Sequence, residues 1–145
     1  MWLDKKDEKL SKYRGIIIAY AIDVEQFLTY AILKYFYRSG TERRKIFYNE
    51  ILNTRLFSFE EKVKLFETIP TYKRLKKFDQ IKGDLRYIQN IRNKLAHWHI
   101  NKEKSMMTKI VIQNPLNRNQ SLTIDDEFIK KFEEKTTGVI LTFKI

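Results

Sequence analysis

The feature that most constrains the fold is a long amphipathic period near the start of the chain, from Ser11 to about Arg38. Apolar side chains recur there every three or four residues, which places them on one helix face: Ile17, Ala21, Val24, Leu28, Ala31, Ile32 and Tyr35. Ser39 and Gly40 favour the end of that helix, because glycine readily adopts the left-handed conformation beyond a C-terminus. The pattern predicts a long helix that buries one face in a bundle.

Two shorter helical segments are predicted next. Thr41 begins the first, whose inner face would consist of Ile46, Phe47, Ile51 and Leu52. Ser58 and Glu61 form a capping-box pattern. In this pattern the serine side chain accepts a hydrogen bond from the backbone amide three residues on, and the glutamate side chain accepts one from the backbone amide of the serine. The helix that they open is predicted to end at Pro70, because proline interrupts helical hydrogen bonding.

A longer helical region is predicted from about Thr71 to His97. Gly83 lies inside this region and indicates either a break or a close contact between helices. The spacing of apolar residues in the second half predicts an inner face made of Ile81, Leu85, Ile88, Ile91 or Arg92, and Leu95.

The spacing of apolar residues is no longer helical after Asn101. Residues 107–114 (MTKIVIQN) predict a strand, residues 115–120 (PLNRNQ) a turn, and residues 121–124 (SLTI) a returning strand. Asp125 is a suitable cap for a last helix at about 125–142, and a strand is the alternative over 138–145 because β-branched residues recur there. We therefore expect one mainly α domain over residues 1–145, a helical bundle with its core at about 11–100 and a small β-hairpin at about 106–124 inserted before the C-terminal helix.

Composition narrows the class of protein. The chain has no cysteine, which excludes a thiol nucleophile, a disulfide framework and a cysteine-ligated metal. Its most apolar run, residues 15–36, is interrupted by Asp23, Glu25 and Gln26, and the first ten residues lack the apolar core of a signal peptide. We therefore expect a cytoplasmic protein that does not engage a membrane.

The charge balance points to the kind of partner. The chain has 29 Lys and Arg against 18 Asp and Glu, a net charge of +11, which favours a polyanion such as RNA. A solvated basic surface and an acidic protein partner are the alternatives. Residues 71–78 (TYKRLKKF) mix basic and aromatic side chains, as RNA-binding surfaces and exposed helix faces both do. They predict contacts to an RNA backbone by Lys73, Arg74, Lys76 and Lys77.

Residues 89–100 (QNIRNKLAHWHI) contain both histidines of the chain, His97 and His99. Asn93 and His97 share a helix face, whereas Arg92 and His97 lie about 140° apart around an ideal helix. Arginine holds a phosphate by two parallel hydrogen bonds, and histidine exchanges protons near neutral pH. The group is therefore suited to a phosphodiester. We expect no metal or cofactor, because the i, i+2 spacing of the histidines does not place two ligands on one helical face.

Residues 92–97 (RNKLAH) resemble the R-x4-H motif of the HEPN superfamily in its common form, an arginine followed by asparagine and ending in alanine–histidine. HEPN domains are helical bundles with this motif at the end of a late helix. They often carry an acidic residue on the first long helix that faces the motif, for which Glu25 is the best match and Asp23 the second. The resemblance covers about residues 11–100 and implies an HEPN-like bundle.

The resemblance also implies a metal-independent endoribonuclease. In such an enzyme the ribose 2′-OH attacks the adjacent phosphate, which leaves 2′,3′-cyclic phosphate and 5′-OH ends. His97 would be the general base or acid, and Arg92 would stabilise the transition state. Asn93 would position the substrate or His97, and Glu25 would orient Arg92 or His97.

Because one histidine does not easily serve as both base and acid, the resemblance implies a homodimer in which two motifs line one cleft. It also implies a toxin or an antiviral-defence effector, with an antitoxin or regulatory protein as a further partner.

HEPN toxins often carry, two residues after the motif histidine, a tyrosine that an antitoxin modifies. This chain has His99 there, which does not support that regulation. His99 is instead a candidate second proton donor or substrate contact, and Lys94 is a candidate substrate contact.

A structural interpretation of the same residues remains open. His97 would then interact with the dipole of a helix C-terminus, and Arg92 would be the ion-pair partner of an acidic residue such as Glu25. The corresponding alternative function is a non-catalytic HEPN-type module that binds RNA or another protein.

Overall fold

The computed structural model describes residues 4–144 and confirms a mainly helical chain with a small antiparallel sheet before the last helix. Residues Tyr48–Leu52 continue the second helix as one π-helical turn. The elements are α1 (Lys5–Phe36), α2 (Glu42–Phe47), α3 (Phe59–Thr68), α4 (Pro70–Lys73), α5 (Phe78–His97), β1 (His99–Ile100), β2 (Ile110–Asn114), β3 (Asn117–Ile124) and α6 (Asp126–Phe143).

Helix α1 begins earlier and ends slightly earlier than predicted. Asp4 caps it by accepting from the Lys6 amide at 3.0 Å. The side chains of the first turns are mostly polar, so the spacing of apolar residues did not predict that these turns are helical. The helix ends at Phe36, two residues before the predicted end, and Gly40 adopts φ +78° in the turn that follows.

The buried face of α1 forms the centre of the bundle and packs against α3, α5 and α6. Every residue predicted for that face is buried except Tyr35, whose side chain is exposed. By length and composition alone, α1 is the one helix within residues 4–144 that could cross a membrane. The core helix of a globular bundle meets the same criterion, and packing against three helices accounts for its apolar face.

Thr41 caps α2 as predicted, by accepting from the Arg44 amide at 3.3 Å. The predicted inner face is wrong at Ile46 and Ile51, which are exposed, and right at Leu52, which is fully buried. The reason is that α2 is short and buries none of its side chains, while the π-helical turn that follows departs from the 3.6-residue period.

Ser58 caps α3 by accepting from the Glu61 amide at 3.2 Å, and α3 ends before Pro70, as predicted. The helical region expected from about Thr71 to His97 is present but divided, because residues 74–77 separate α4 from α5. Gly83 marks neither a break nor a close contact, since it lies inside α5 with open space around it. The predicted inner face of α5 is confirmed, with Ile91 buried and Arg92 half-buried beside it.

The predicted hairpin consists of β2 and β3, but the turn is shorter than expected. Residues 117–120 belong to β3 rather than to the turn, and Ile110 pairs with Ile124 in the register. Strand β1 was not predicted: His99 and Ile100 pair with Gln113 and Ile112, so the sheet has three strands in the order β1-β2-β3.

Helix α6 has the predicted cap and length. The Asp125 carboxylate accepts from the Phe128 amide at 2.7 Å, and the helix continues through Phe143. A strand is therefore excluded up to that residue, while Ile145 lies outside the described residues.

Candidate functional site

The C-terminal end of α5 is fixed in place by its own apolar face and by one residue of α1. Ile91 and Leu95 are buried in the core. The Arg14 guanidinium donates to the carbonyl oxygens of Leu95 and Trp98, both at 2.8 Å. These carbonyls lie at a helix terminus, where intrahelical partners run out. Arg14 thereby satisfies them and anchors the segment that carries the two histidines.

Glu25 of α1 faces Arg92 of α5 across the seam between the helices. Its Oε2 lies 3.4 Å from Arg92 Nη1, and its Oε1 lies 3.0 Å from Lys62 Nζ of α3. The Arg92 guanidinium also lies 5.8 Å from the centre of the Phe59 ring. Asp23 is exposed on α1. Of the two acidic candidates, Glu25 is the one that contacts the motif.

The Lys62 side chain is only 7% exposed, so Glu25 supplies the counter-charge that a buried ammonium needs. The Arg92 side chain is 33% exposed and lies at the edge of the seam. One carboxylate therefore holds two cations, and the guanidinium retains a surface that an external anion can reach. Such an arrangement orients an arginine without neutralising the whole cluster.

His97 and Asn93 lie on another face of α5, and both are exposed. They line a shallow depression of about 430 Å³ together with Asn90 and Trp98. The Lys94 ammonium lies 4.9 Å from the centre of the Trp98 ring. This face combines an imidazole, two amides and a cation, groups that donate hydrogen bonds to phosphate or exchange a proton with a hydroxyl.

The structure therefore does not bring Arg92 and His97 to one point within a single chain. Arg92 faces Glu25, whereas His97 opens into the depression on the neighbouring face. This divergence follows from their five-residue spacing on a regular helix. A phosphate that contacts both side chains needs either a long substrate path around α5 or a second copy of the chain.

His99 is exposed and belongs to β1 rather than to α5. Trp98 separates the two histidines at the point where the helix ends and the extended chain begins. The two imidazoles are therefore supported by different elements. Within residues 4–144, no group of three histidine, aspartate or glutamate side chains gathers closely enough to hold a metal ion.

The basic segment predicted to contact RNA lies at the other end of α5. Lys77 and His97 are separated by the whole helix, about 30 Å at 1.5 Å per residue. All four cations of the segment are exposed: Lys73, Arg74, Lys76 and Lys77. They cannot contact a phosphate that is bound at His97, but they can contact a distant part of the same strand.

Two residues of this site were not found from the sequence. The sequence does contain a clue to Lys62. This lysine lies three residues after Phe59 and four before Phe66, on the apolar face of α3. A lysine in such a stripe needs a buried partner. Arg14 gave no such signal, because its two acceptors lie 81 and 84 residues away along the chain.

Comparison with known proteins adds no identification. No family model matches the chain, and neither the curated proteins nor the solved structures provide a match. The resemblance to the HEPN superfamily therefore depends on residues 92–97, on Glu25, and on their placement in a helical bundle.

Proposed function

We propose that this protein is a metal-independent endoribonuclease of the HEPN type that acts as a homodimer. The observation that carries the proposal is that the RNKLAH segment forms an exposed but firmly anchored helix end. Arg14 donates to the carbonyl oxygen of Leu95 in this segment and to that of Trp98 just after it, and Glu25 pairs with Arg92. His97 and Asn93 remain open to solvent. Anchoring of this kind preorganises charged groups for a transition state.

In the proposed reaction, His97 removes the proton from a ribose 2′-OH as that oxygen attacks the adjacent phosphorus. The bond from phosphorus to the 5′-oxygen breaks, and a second acid protonates the leaving oxygen. The products are a 2′,3′-cyclic phosphate and a 5′-OH. Arg92 stabilises the added negative charge on the phosphoryl oxygens. Asn93 donates a hydrogen bond to the substrate.

A homodimer supplies the groups that one chain does not bring together. Two copies related by a two-fold axis place Arg92 of one chain near His97 of the other, and they provide a second histidine as the acid. Glu25 is the positioning residue for Arg92, and Lys62 holds Glu25 in turn. Lys94 and His99 contact the strand on either side of the cut.

The strong positive charge supports RNA as the substrate. A toxin or antiviral-defence effector is the biological role that the resemblance to the HEPN superfamily implies. Such an enzyme acts in the cytoplasm and needs restraint by an antitoxin or regulatory protein. An acidic protein would complement the net charge of +11.

The second candidate function is a non-catalytic module that binds RNA or another protein. The observation that favours it is that Arg92 is already ion-paired with Glu25 and diverges from His97. In that case the two residues have structural roles, and RNA binds through the basic surface alone.

RNA cleavage by wild type, His97→Ala and Lys64→Ala proteins with EDTA present tests the proposal. Lys64→Ala is the control, because Lys64 is exposed on α3, is paired with Glu60 and Glu61, and lies outside the proposed site. We expect cutting by wild type, loss in His97→Ala by at least a hundredfold, and retained cutting in Lys64→Ala. Product ends should be cyclic phosphates. RNA binding without cutting by any of the three proteins would favour the non-catalytic module.

A further inference from the structure

A second cavity lies at the far end of the bundle from His97. It opens between the C-terminal half of α1, α4 and the end of α6, and its volume is about 460 Å³. Five of the ten residues that line it are aromatic, among them Tyr30, Tyr35, Tyr72 and Phe143. A cavity of this size and composition is within the range of sites that enclose a small planar group.

The inner wall of the cavity is held in place by contacts within the bundle. The Tyr72 hydroxyl donates to the carbonyl oxygen of Ala31 at 2.7 Å. The Tyr72 ring stacks on the buried Phe66 ring, with the two centroids 4.9 Å apart. The Phe143 ring contacts the Phe66 ring edge-on, with a centroid distance of 5.4 Å. The aromatic surface therefore exists before any ligand binds, which lowers the entropic cost of binding.

The outer rim of the cavity consists of two accessible tyrosines. Tyr30 and Tyr35 are each 44% exposed and lie outside the buried core of the bundle. They provide surfaces on which a planar ligand can stack from the solvent side.

The charge around the cavity indicates the class of ligand. Thr71, Tyr72 and Leu75 line the cavity and belong to the basic segment. None of the described residues that line the cavity is acidic, and residues 71–78 contain no acidic side chain. The cations interleaved there are Lys73, Arg74, Lys76 and Lys77. Aromatic surfaces beside a track of exposed cations are the combination that binds single-stranded nucleic acid.

We infer that this cavity receives an unpaired base of the RNA strand, while Lys73, Arg74, Lys76 and Lys77 bind the flanking phosphates. The inference rests on the proposed function for the identity of the ligand. The cavity volume of about 460 Å³ suits one base, whereas a docked protein helix needs anchors over two or more turns.

The location of the cavity extends the footprint of the RNA. Arg14 and Tyr35 mark the two ends along α1 and are 21 residues apart in sequence, about 30 Å along the helix. A strand that contacts both the cavity and the end of α5 would cover on the order of ten nucleotides, which matches known single-strand sites. The cavity would select where the strand is held, and the end of α5 where it is cut.

The test is fluorescence anisotropy with a labelled single-stranded RNA of about twelve nucleotides, in a His97→Ala background that keeps the RNA intact. A second RNA of the same length has abasic ribose units in its middle. The key variant is Tyr30→Ala/Tyr35→Ala, in which both truncated rings are exposed and outside the core. Tyr35→Phe keeps the stacking surface. Ile46→Ala is the matched control, because Ile46 is similarly exposed and does not line the cavity.

We expect the background protein to bind normal RNA about tenfold more tightly than abasic RNA, and the double tyrosine variant to bind both equally weakly. Tyr35→Phe and Ile46→Ala should leave the preference for bases unchanged. Equal binding of both RNAs before any tyrosine is changed would overturn the inference. So would a double variant that keeps the full preference.

Two further outcomes identify other occupants. If the double variant becomes monomeric in sedimentation while the background protein is dimeric, the cavity is a protein interface and the inference fails. If a 5′-mononucleotide competes as well as the whole strand, the ligand is a free nucleotide and the assignment to RNA fails. Cleavage by the wild type combined with either result would leave the proposed nuclease function intact, so the two failures are distinguishable.

Discussion

Glu25 and Arg92 form an ion pair, at 3.4 Å, between the first long helix and the helix that carries both motif residues. The other carboxylate oxygen of Glu25 lies 3.0 Å from Lys62 Nζ. Three helices therefore meet at one negative charge. The pair has two consequences: it contributes to the stability of the bundle, and it sets the direction of the Arg92 guanidinium.

Replacement of Glu25 by alanine should destabilise the fold by about 2–3 kcal/mol, because it leaves the buried Lys62 ammonium without its counter-charge. Glu25→Ala/Lys62→Met should recover much of that loss, since no buried charge remains. Urea denaturation followed by circular dichroism measures both changes. The matched control is Asp23→Ala, which removes an exposed acid two residues away and should change stability by less than about 0.5 kcal/mol. Equal effects of the two alanine variants would contradict the role of the ion pair.

The proposed use of both His97 side chains makes a sharp prediction about the dimer. When wild type and His97→Ala are mixed in equal amounts, a quarter of the dimers keep both histidines and half keep one. If cleavage needs one histidine as base and the other as acid, the mixture should show about a quarter of the cleavage of wild type at the same total protein concentration. The assay needs subunit exchange before RNA is added. Cleavage at half of the wild-type level would mean that each site uses the histidine of one chain only.

Arg14 should be a positioning residue for the end of α5. Arg14→Met removes the donors to Leu95 and Trp98 and should cost about 1–2 kcal/mol. Amide hydrogen exchange should rise most in the last turn of α5, because that turn loses its anchor. Lys12→Met, a change at an exposed position on the same helix, is the control. Uniformly faster exchange over the whole chain would indicate global destabilisation instead.

The elements that the sequence predicted well are those specified by local interactions. Ser58 and Asp125 cap their helices through side chains that reach an amide three residues on. The inner face of α5 follows from a regular period that no glycine or proline interrupts between Leu85 and His97. Local capping and periodicity are visible in one sequence, so these features could be derived without a structure.

The features that were missed depend on contacts between distant parts of the chain. The break at residues 74–77 accompanies the anchoring of Tyr72 to Ala31 of α1, which the local pattern of residues 71–97 does not encode. Strand β1 has only two residues and exists because β2 offers a free edge to pair with. The holding of Arg92 by Glu25 was expected from the resemblance, whereas Lys62 was not expected at all.

Lys94 offers a test of RNA contacts near His97. If Lys94 binds a phosphate, Lys94→Ala should reduce the slope of log affinity against log salt by about 0.7 and weaken binding about fivefold at 0.1 M salt. Lys64→Ala is the control, because Lys64 is exposed on α3 and already paired with Glu60 and Glu61. Identical salt slopes for the two variants would remove Lys94 from the RNA-binding surface. Measurement in the His97→Ala background prevents cleavage during the titration.

Tyr13 predicts how stability depends on alkaline pH. Its hydroxyl donates to the Asp126 carboxylate at 2.9 Å and joins α1 to α6. Burial, followed by this hydrogen bond and the nearby charges of Asp126 and Asp125, raises the pKa of Tyr13 from 10.0 to about 12. The folded state therefore keeps the phenolic proton at a pH where the unfolded chain has lost it. The stabilisation is complete below pH 10 and is lost as the pH rises through 12.

Tyr13→Phe should therefore be less stable than wild type by about 1 kcal/mol at neutral pH, because it lacks the hydrogen bond to a charged acceptor. That difference should shrink between pH 10 and 12, since only the wild type loses stability through ionisation of this group. Urea denaturation of both proteins at matched pH values measures the difference and cancels the titration of the other tyrosines and lysines. A difference that stays constant up to pH 12 would show that Tyr13 ionises alike in the folded and unfolded chains.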